Sequence, residues 1–242
     1  VRRIFTYGCS YTKYYYPTWA DILIKDRDGY NCGKIGSGNQ LIANRIWETH
    51  AQQNFTKEDT VIIMWSNFFR EDRYNLDGWQ TKGNIFFWSD RIQIEELPHY
   101  VYRDCNLITS TLIALQRTGA KVISTHINNP YEDELLLEDE KISNILDTYK
   151  EWVYPQTQTI TDLCYYPGIE VDKTRPQYIQ NNTWRIEDHP LPLEHLKFVQ
   201  EELKYHVSDS TVEWATEEQN KLQEIKEYDR VFTSGKEIEW VI

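Results

Sequence analysis

Arg3-Ile4-Phe5-Thr6-Tyr7-Gly8-Cys9-Ser10-Tyr11-Thr12 opens the chain. A short apolar run ends in Gly-Cys-Ser, and a long aromatic and helical segment follows. This is how a buried strand delivers a small nucleophilic residue to the end of a sheet. The glycine lets the backbone turn sharply. The serine then faces the crevice at the carboxyl ends of the strands, where open α/β sheets bind their ligands. The plainer alternative is an ordinary strand-end turn in which Ser10 caps a helix.

Reading outward, Tyr14-Tyr15-Tyr16-Pro17 leads into a helix with Trp19, Ile22 and Leu23 on one face, closed by Gly29. Tyr30-Asn31-Cys32 is a short second strand running into the glycine-rich turn Gly33-Lys34-Ile35-Gly36-Ser37-Gly38-Asn39. A helix from Asn39 to about Asn54 follows, with Asn39 as its N-cap. Thr60 to Ser66 is apolar without alternation, as expected of a parallel strand buried on both faces. The order β-α-β-α-β predicts a three-layer α/β/α, doubly wound and mainly parallel sheet. Residues 68–103, rich in aromatics, Arg and Asp, read as an insertion above the sheet. A helix is expected over Asp104–Thr118, a fourth strand over Lys121–His126 and a helix over Glu138–Trp152. A fifth strand is sought between Val153 and Trp184. Pro190–His206 reads as a helix with Leu196, Val199 and Leu203 inward. The main domain is thus expected over 1–208. A polar helical extension over 209–242 packs on it or on a second copy, so a homo-oligomer stays open. Ile238–Ile242 reads as an edge strand.

The 242 residues carry a net charge of -12. That argues against a phosphate-tracking surface, and so against nucleic acid as the main partner. No run approaches the ~20 apolar residues of a membrane span, and the chain starts on a strand with no basic-then-apolar leader. The four cysteines are scattered without a Cys-x-x-Cys, which disfavours zinc and a disulfide framework and gives a cytoplasmic expectation. Nine Trp and 17 Tyr are more aromatics than a core this size usually hides. They suit sugars, bases and protein partners alike.

Acyl-transfer chemistry needs a nucleophile, a base and donors for the oxyanion. Ser10 is the candidate nucleophile. The base candidates are His189 and His195 in Glu187-Asp188-His189-Pro190-Leu191-Pro192-Leu193-Glu194-His195. The donor candidates are the amides of Ser10 and Gly36 and the side chain of Asn67. In a sheet ordered 2-1-3-4-5, the strands before Gly36 and Asn67 flank the first strand, so all three groups converge at one end. Tyr11, Trp65 and Arg70 are the candidate substrate-binding residues.

Four blocks in this order resemble the SGNH (GDSL-type) hydrolase family. Gly8-Cys9-Ser10-Tyr11-Thr12 stands where the family has Gly-Asp-Ser-x-Ser. Asn31 to Gly36 is similar to its second block and Trp65-Ser66-Asn67 to its Gly-x-Asn block, while His189 matches the histidine of its final Asp-x-x-His block. The resemblance implies a flavodoxin-like fold and a serine esterase with His189 as general base. It implies no metal and no cofactor, and an ester of a glycan or another small molecule as substrate. Tyr-Pro-Thr-Trp-Ala-Asp and His-Pro-x-Pro-x-x-His resemble uncharacterised bacteriophage members, which would place the protein in a host cytoplasm or a virion.

Three positions depart from the pattern. Cys9 replaces the aspartate before the serine. Ile186 occupies the place of the acid three residues before the histidine, so Asp188, Glu187 or a main-chain carbonyl must orient the ring. Phe68 follows Asn67 where aspartate is common. The departures keep a second class open, a non-catalytic binding or structural module on the same fold. A nucleotide site on Gly33-x-x-Gly36-x-Gly38 is a third reading, weakened because the spacing is not Gly-x-Gly-x-x-Gly.

Overall fold

The computed structural model describes residues 2–85, 93–163, 177–180, 183–187, 189–222 and 224. Four parallel strands form the central sheet: β1 Ile4–Tyr7, β2 Gly29–Asn31, β3 Thr60–Trp65 and β6 Lys121–His126. Their order is β2-β1-β3-β6, the first four places of the order expected from sequence. No fifth strand joins this sheet among the described residues.

The sheet is doubly wound, and its central strands β1 and β3 carry apolar side chains on both faces. Successive side chains alternate across a strand, so Phe5, Tyr7, Val61, Ile63 and Trp65 enter one core while Ile4, Ile62 and Met64 enter the other. The first core is covered by α2 Asn39–Gln53, α3 Leu97–Gln116 and α5 Glu140–Val153. The second is covered by α1 Trp19–Ile24 and α7 Pro192–Lys197, which runs on into a widened turn, Phe198–Glu202, and by α8 Asp209–Leu222. Ala215 of α8 is fully buried in that second core, so this part of the carboxyl-terminal helix lies on the domain itself. No helix of the described residues is long and apolar enough to cross a membrane.

The boundaries differ from the sequence reading where side chains, rather than periodicity, decide them. Gly29 does not end α1; it begins β2 and pairs with Ile4. Gly38, not Asn39, is the N-cap of α2, because the Asn39 carboxamide is drawn across to the loop after β3. The helix expected from Asp104 begins at Leu97, with Pro98 in its first turn. The aromatic stretch before it contains the antiparallel hairpin β4 Arg70–Asn75 and β5 Gly78–Asn84. A short helix, α4 Glu134–Leu137, precedes α5, and the stretch searched for a fifth strand from Val153 onward holds the short helix α6 Ile160–Leu163. That stretch also holds a separate hairpin, β7 Gln177–Gln180 with β8 Thr183–Ile186. The edge strand expected at 238–242 lies outside the described residues.

Candidate active site

Parallel pairing sends the loops after β1, β2, β3 and β6 to the same end of the sheet. The first of these is a tight turn. The amides of Thr12 and Lys13 both donate to the Cys9 carbonyl, at 2.9 and 3.0 Å. Gly8 is required here: a Cβ would stand 2.0 Å from Thr12 Oγ1 and 2.9 Å from the Met64 carbonyl oxygen. Cys9 is fully buried in the apolar core beside α1, while Ser10 points into the site and retains 5% exposure.

The loop after β2 packs on this turn. The Lys34 amide donates to the Gly8 carbonyl at 3.0 Å, and Asn31 Nδ2 donates to the Thr12 carbonyl at 2.9 Å. Gly36 adopts φ +80°, left-handed backbone that favours glycine. The β4–β5 hairpin then fixes the loop from above. The Asp72 carboxylate accepts from the amides of Gly38 at 3.0 Å and Leu41 at 2.8 Å, which caps α2 at its positive end. Arg70 Nη1 donates to the Ser37 carbonyl at 3.0 Å.

Asn39 ties the third loop to the second. Its Oδ1 accepts from the Ser66 amide at 2.8 Å, and its Nδ2 donates to the Ser66 carbonyl at 3.1 Å and to Asp104 Oδ2 at 2.9 Å. Asp104 is also paired with Arg103 at 2.7 Å. Burial pushes the Asp104 carboxyl up to about 6. The next residue, Asn67, therefore leaves β3 from a backbone held on both of its polar groups.

Some 180 residues along, His189 meets Ser10. Its Nε2 lies 3.0 Å from Ser10 Oγ, and its Nδ1 lies 3.1 Å from Glu187 Oε1. Glu187 is fully buried and also accepts from the His189 amide at 2.9 Å. With Nδ1–H donating to the carboxylate, Nε2 is left as an acceptor for the serine hydroxyl. The ring is held between aromatics. Tyr14 stacks on it with centroids 4.1 Å apart and planes 20° apart, and Tyr11 leans on it at 5.2 Å.

The sequence-selected residues divide clearly. Ser10, His189 and Tyr11 are brought together. The acid named with them, Asp188, lies outside the described residues; the carboxylate observed on Nδ1 belongs to Glu187, its neighbour in the same reading. Gly36 and Asn67 lie in the two loops that flank the serine turn. Trp65 is corrected as a substrate contact: it is fully buried, and its indole N–H donates to Ser124 Oγ at 3.0 Å. A tryptophan in the last strand position faces the core beneath the site. Arg70 is committed to the Ser37 carbonyl. His195, the other base candidate, is 1% exposed, and burial together with nearby His189 pushes it down to about 3. Asn39, read only as a helix cap, and Asp72 and Asp104 were not among the candidate site residues. For Asp104 a signal existed in a polar residue at a helical core position, since a buried carboxylate must find partners. Among the described residues no cluster of His, Cys, Asp or Glu could hold a metal ion.

No family model and no curated protein matches the chain. Among solved structures, the chain is similar to a GDSL-like lipase from Bacteroides thetaiotaomicron, at 13% identity and a TM-score of 0.40, over 88% of this chain and 89% of that one. It is also similar to an acetylxylan esterase from Geobacillus stearothermophilus, at 14% identity and a TM-score of 0.38, over 62% of this chain and 72% of that one.

Proposed function

We propose that this protein is a serine esterase, with Ser10 as nucleophile, His189 as general base and Glu187 as the acid that orients the ring. The observation that carries the reading is the unbroken chain of contacts Ser10 Oγ–His189 Nε2–His189 Nδ1–Glu187 Oε1, at 3.0 and 3.1 Å. Nucleophile, base and orienting acid at hydrogen-bond reach are the geometric signature of an activated serine.

The steps follow from these assignments. His189 Nε2 takes the hydroxyl proton as Ser10 Oγ attacks the ester carbonyl carbon. The negative charge on the former carbonyl oxygen is met by the amides of Ser10 and Gly36 and by the Asn67 carboxamide. Such donors are each worth about 3–4 kcal/mol when aimed at the tetrahedral state. Collapse expels the alcohol, which takes the proton back from His189. Water, deprotonated by the same ring, then releases the acid and frees Ser10.

The recessed serine suits a small acyl group better than a long chain. Small acetyl esters, acetylated glycans among them, are therefore the first substrates to try. Hydrolysis of p-nitrophenyl acetate and of acetylated xylo-oligosaccharides by the wild type, abolished in Ser10→Ala, is the expected result. A folded wild type inert on both, and on a wider ester panel, would return the binding module as the better account.

A further inference from the structure

A second set of polar atoms lies next to the candidate oxyanion asparagine. Ser66, Asn67 and His126 line one small cavity at the ends of β3 and β6, together with Asn128 and Asp133. Three side-chain atoms of these residues are buried and have no hydrogen-bond partner among the described residues: Ser66 Oγ, Asn67 Oδ1 and His126 Nε2. Buried polar atoms are rarely left so, and three in one place mark a site for a polar ligand. The cavity offers about 10 Å³, the scale of a single water.

The chemistry of the three atoms is also that of a water site. The main chain of Val153 lies beside the His126 ring and favours a proton on it. Nε2 has no hydrogen-bond partner among the described residues, and with the ring proton on Nδ1 it presents a lone pair. Burial pushes His126 down to about 4, so the ring stays neutral at neutral pH. Asn67 Oδ1 is a second acceptor, and the Ser66 hydroxyl can donate. Two acceptors and one hydroxyl donor match the two protons and a lone pair of water.

We propose that Ser66, Asn67 and His126 bind one internal water, and that this water fixes the orientation of the Asn67 carboxamide. The water donates to His126 Nε2 and Asn67 Oδ1 and accepts from Ser66 Oγ. With Oδ1 held in this way, Nδ2 is the end of the carboxamide left to face the oxyanion. Without it, the two ends of the amide exchange at little cost, and a fraction of molecules turns an oxygen toward the developing charge. His126 is then a positioning residue that acts through Asn67. Only this kinetic consequence rests on the esterase reading; the water site itself does not.

The first test is a crystal structure of the wild-type protein near 1.2 Å resolution. It should show one fully occupied water within hydrogen-bond distance of all three atoms. The second compares His126→Phe, His126→Gln and Ser66→Ala on an ester substrate. His126→Phe should lower kcat about tenfold with KM little changed, a part of the 10²–10³ that one oxyanion donor is worth. His126→Gln restores a polar atom near the Nε2 position and should recover most of the loss, which a merely structural defect would not allow. Ser66→Ala, the mildest change for folding, should fall between them. An empty or apolar-filled cavity in the wild type overturns the proposal. So does wild-type kcat in both His126→Phe and Ser66→Ala. A protein with the water in place but no ester turnover would retain the site and remove the esterase reading.

Discussion

The Glu187 carboxylate oxygen that receives the His189 ring at 3.1 Å also receives the His189 main-chain amide at 2.9 Å. One oxygen thus fixes both the backbone and the imidazole of the same residue, from only two positions upstream. Glu187→Gln should therefore lower kcat by 10²–10⁴, the range set by losing the correct tautomer of a catalytic histidine, with melting temperature and KM changed far less. Asp188→Asn should stay within a few-fold of wild type. Steady-state kinetics on both variants checks this, and a reversed ranking would assign the orienting role to Asp188.

Tyr14 stacks flat on the His189 ring. An aromatic face steadies the ring and favours the imidazolium that forms as Ser10 attacks. Such contacts are worth about 0.5–1.5 kcal/mol, so Tyr14→Leu should reduce kcat/KM by about two- to tenfold, while Tyr14→Phe should stay near wild type. Equal losses in the two variants would mean that the phenol hydroxyl, not the ring face, matters.

Asn39 holds both main-chain polar groups of Ser66 and one oxygen of Asp104. Asn39→Ala leaves buried partners unsatisfied at about 1–3 kcal/mol each. The expected loss is about 3 kcal/mol or more by urea denaturation, together with a fall in kcat because the segment bearing Asn67 is released. An exposed control on the same helix, Gln52→Ala, should do neither.

The pH dependence of stability separates two kinds of buried group. His195 is held down to about 3 in the folded chain, against about 6.5 when unfolded. As pH falls below 6.5 the unfolded chain takes up a proton that the folded chain refuses. Stability present above that point is then lost progressively toward pH 3. Asp104 has the opposite sign. Its folded value is raised to about 6, so its contribution is greatest below the unfolded value near 3.9 and is lost as pH rises through 6. Relative to the wild type, urea midpoints between pH 4 and 7 should thus rise toward acid in His195→Gln, and fall more steeply toward acid in Asp104→Asn. Parallel curves for all three proteins would contradict these assignments.

The fold was legible where one physical effect dominated. Thr60 to Ser66 is apolar enough to be a strand in any context, Lys121 to His126 centres on the β-branched Val122, Ile123 and Thr125, and Gly8 marks a turn that no side chain could occupy. Ser10 and His189 were legible through residue type and order, and Glu187 only as one of several acids near the ring. What stayed hidden depends on contacts distant in sequence. The start of α3 at Leu97 lies within an aromatic stretch whose helical period is carried by Leu97, Tyr100, Val101 and Asp104, and the charged and aromatic residues between them mask it. Trp65 looked like a ligand platform because it stands beside Asn67, but strand alternation sends its ring into the core. Asn39 looked like a helix cap because that is the commonest local use of an asparagine there. Its true partner, Ser66, is 27 positions away.

The most direct measurement is mass-spectrometric mapping of the adduct formed with a fluorophosphonate probe on wild type, Ser10→Ala, His189→Ala and Glu187→Gln. The account predicts stoichiometric modification of Ser10 in the wild type and none in Ser10→Ala or His189→Ala, with markedly slower labelling in Glu187→Gln. A folded wild type that leaves Ser10 unmodified, or equal labelling of Ser10 in the wild type and His189→Ala, would contradict it.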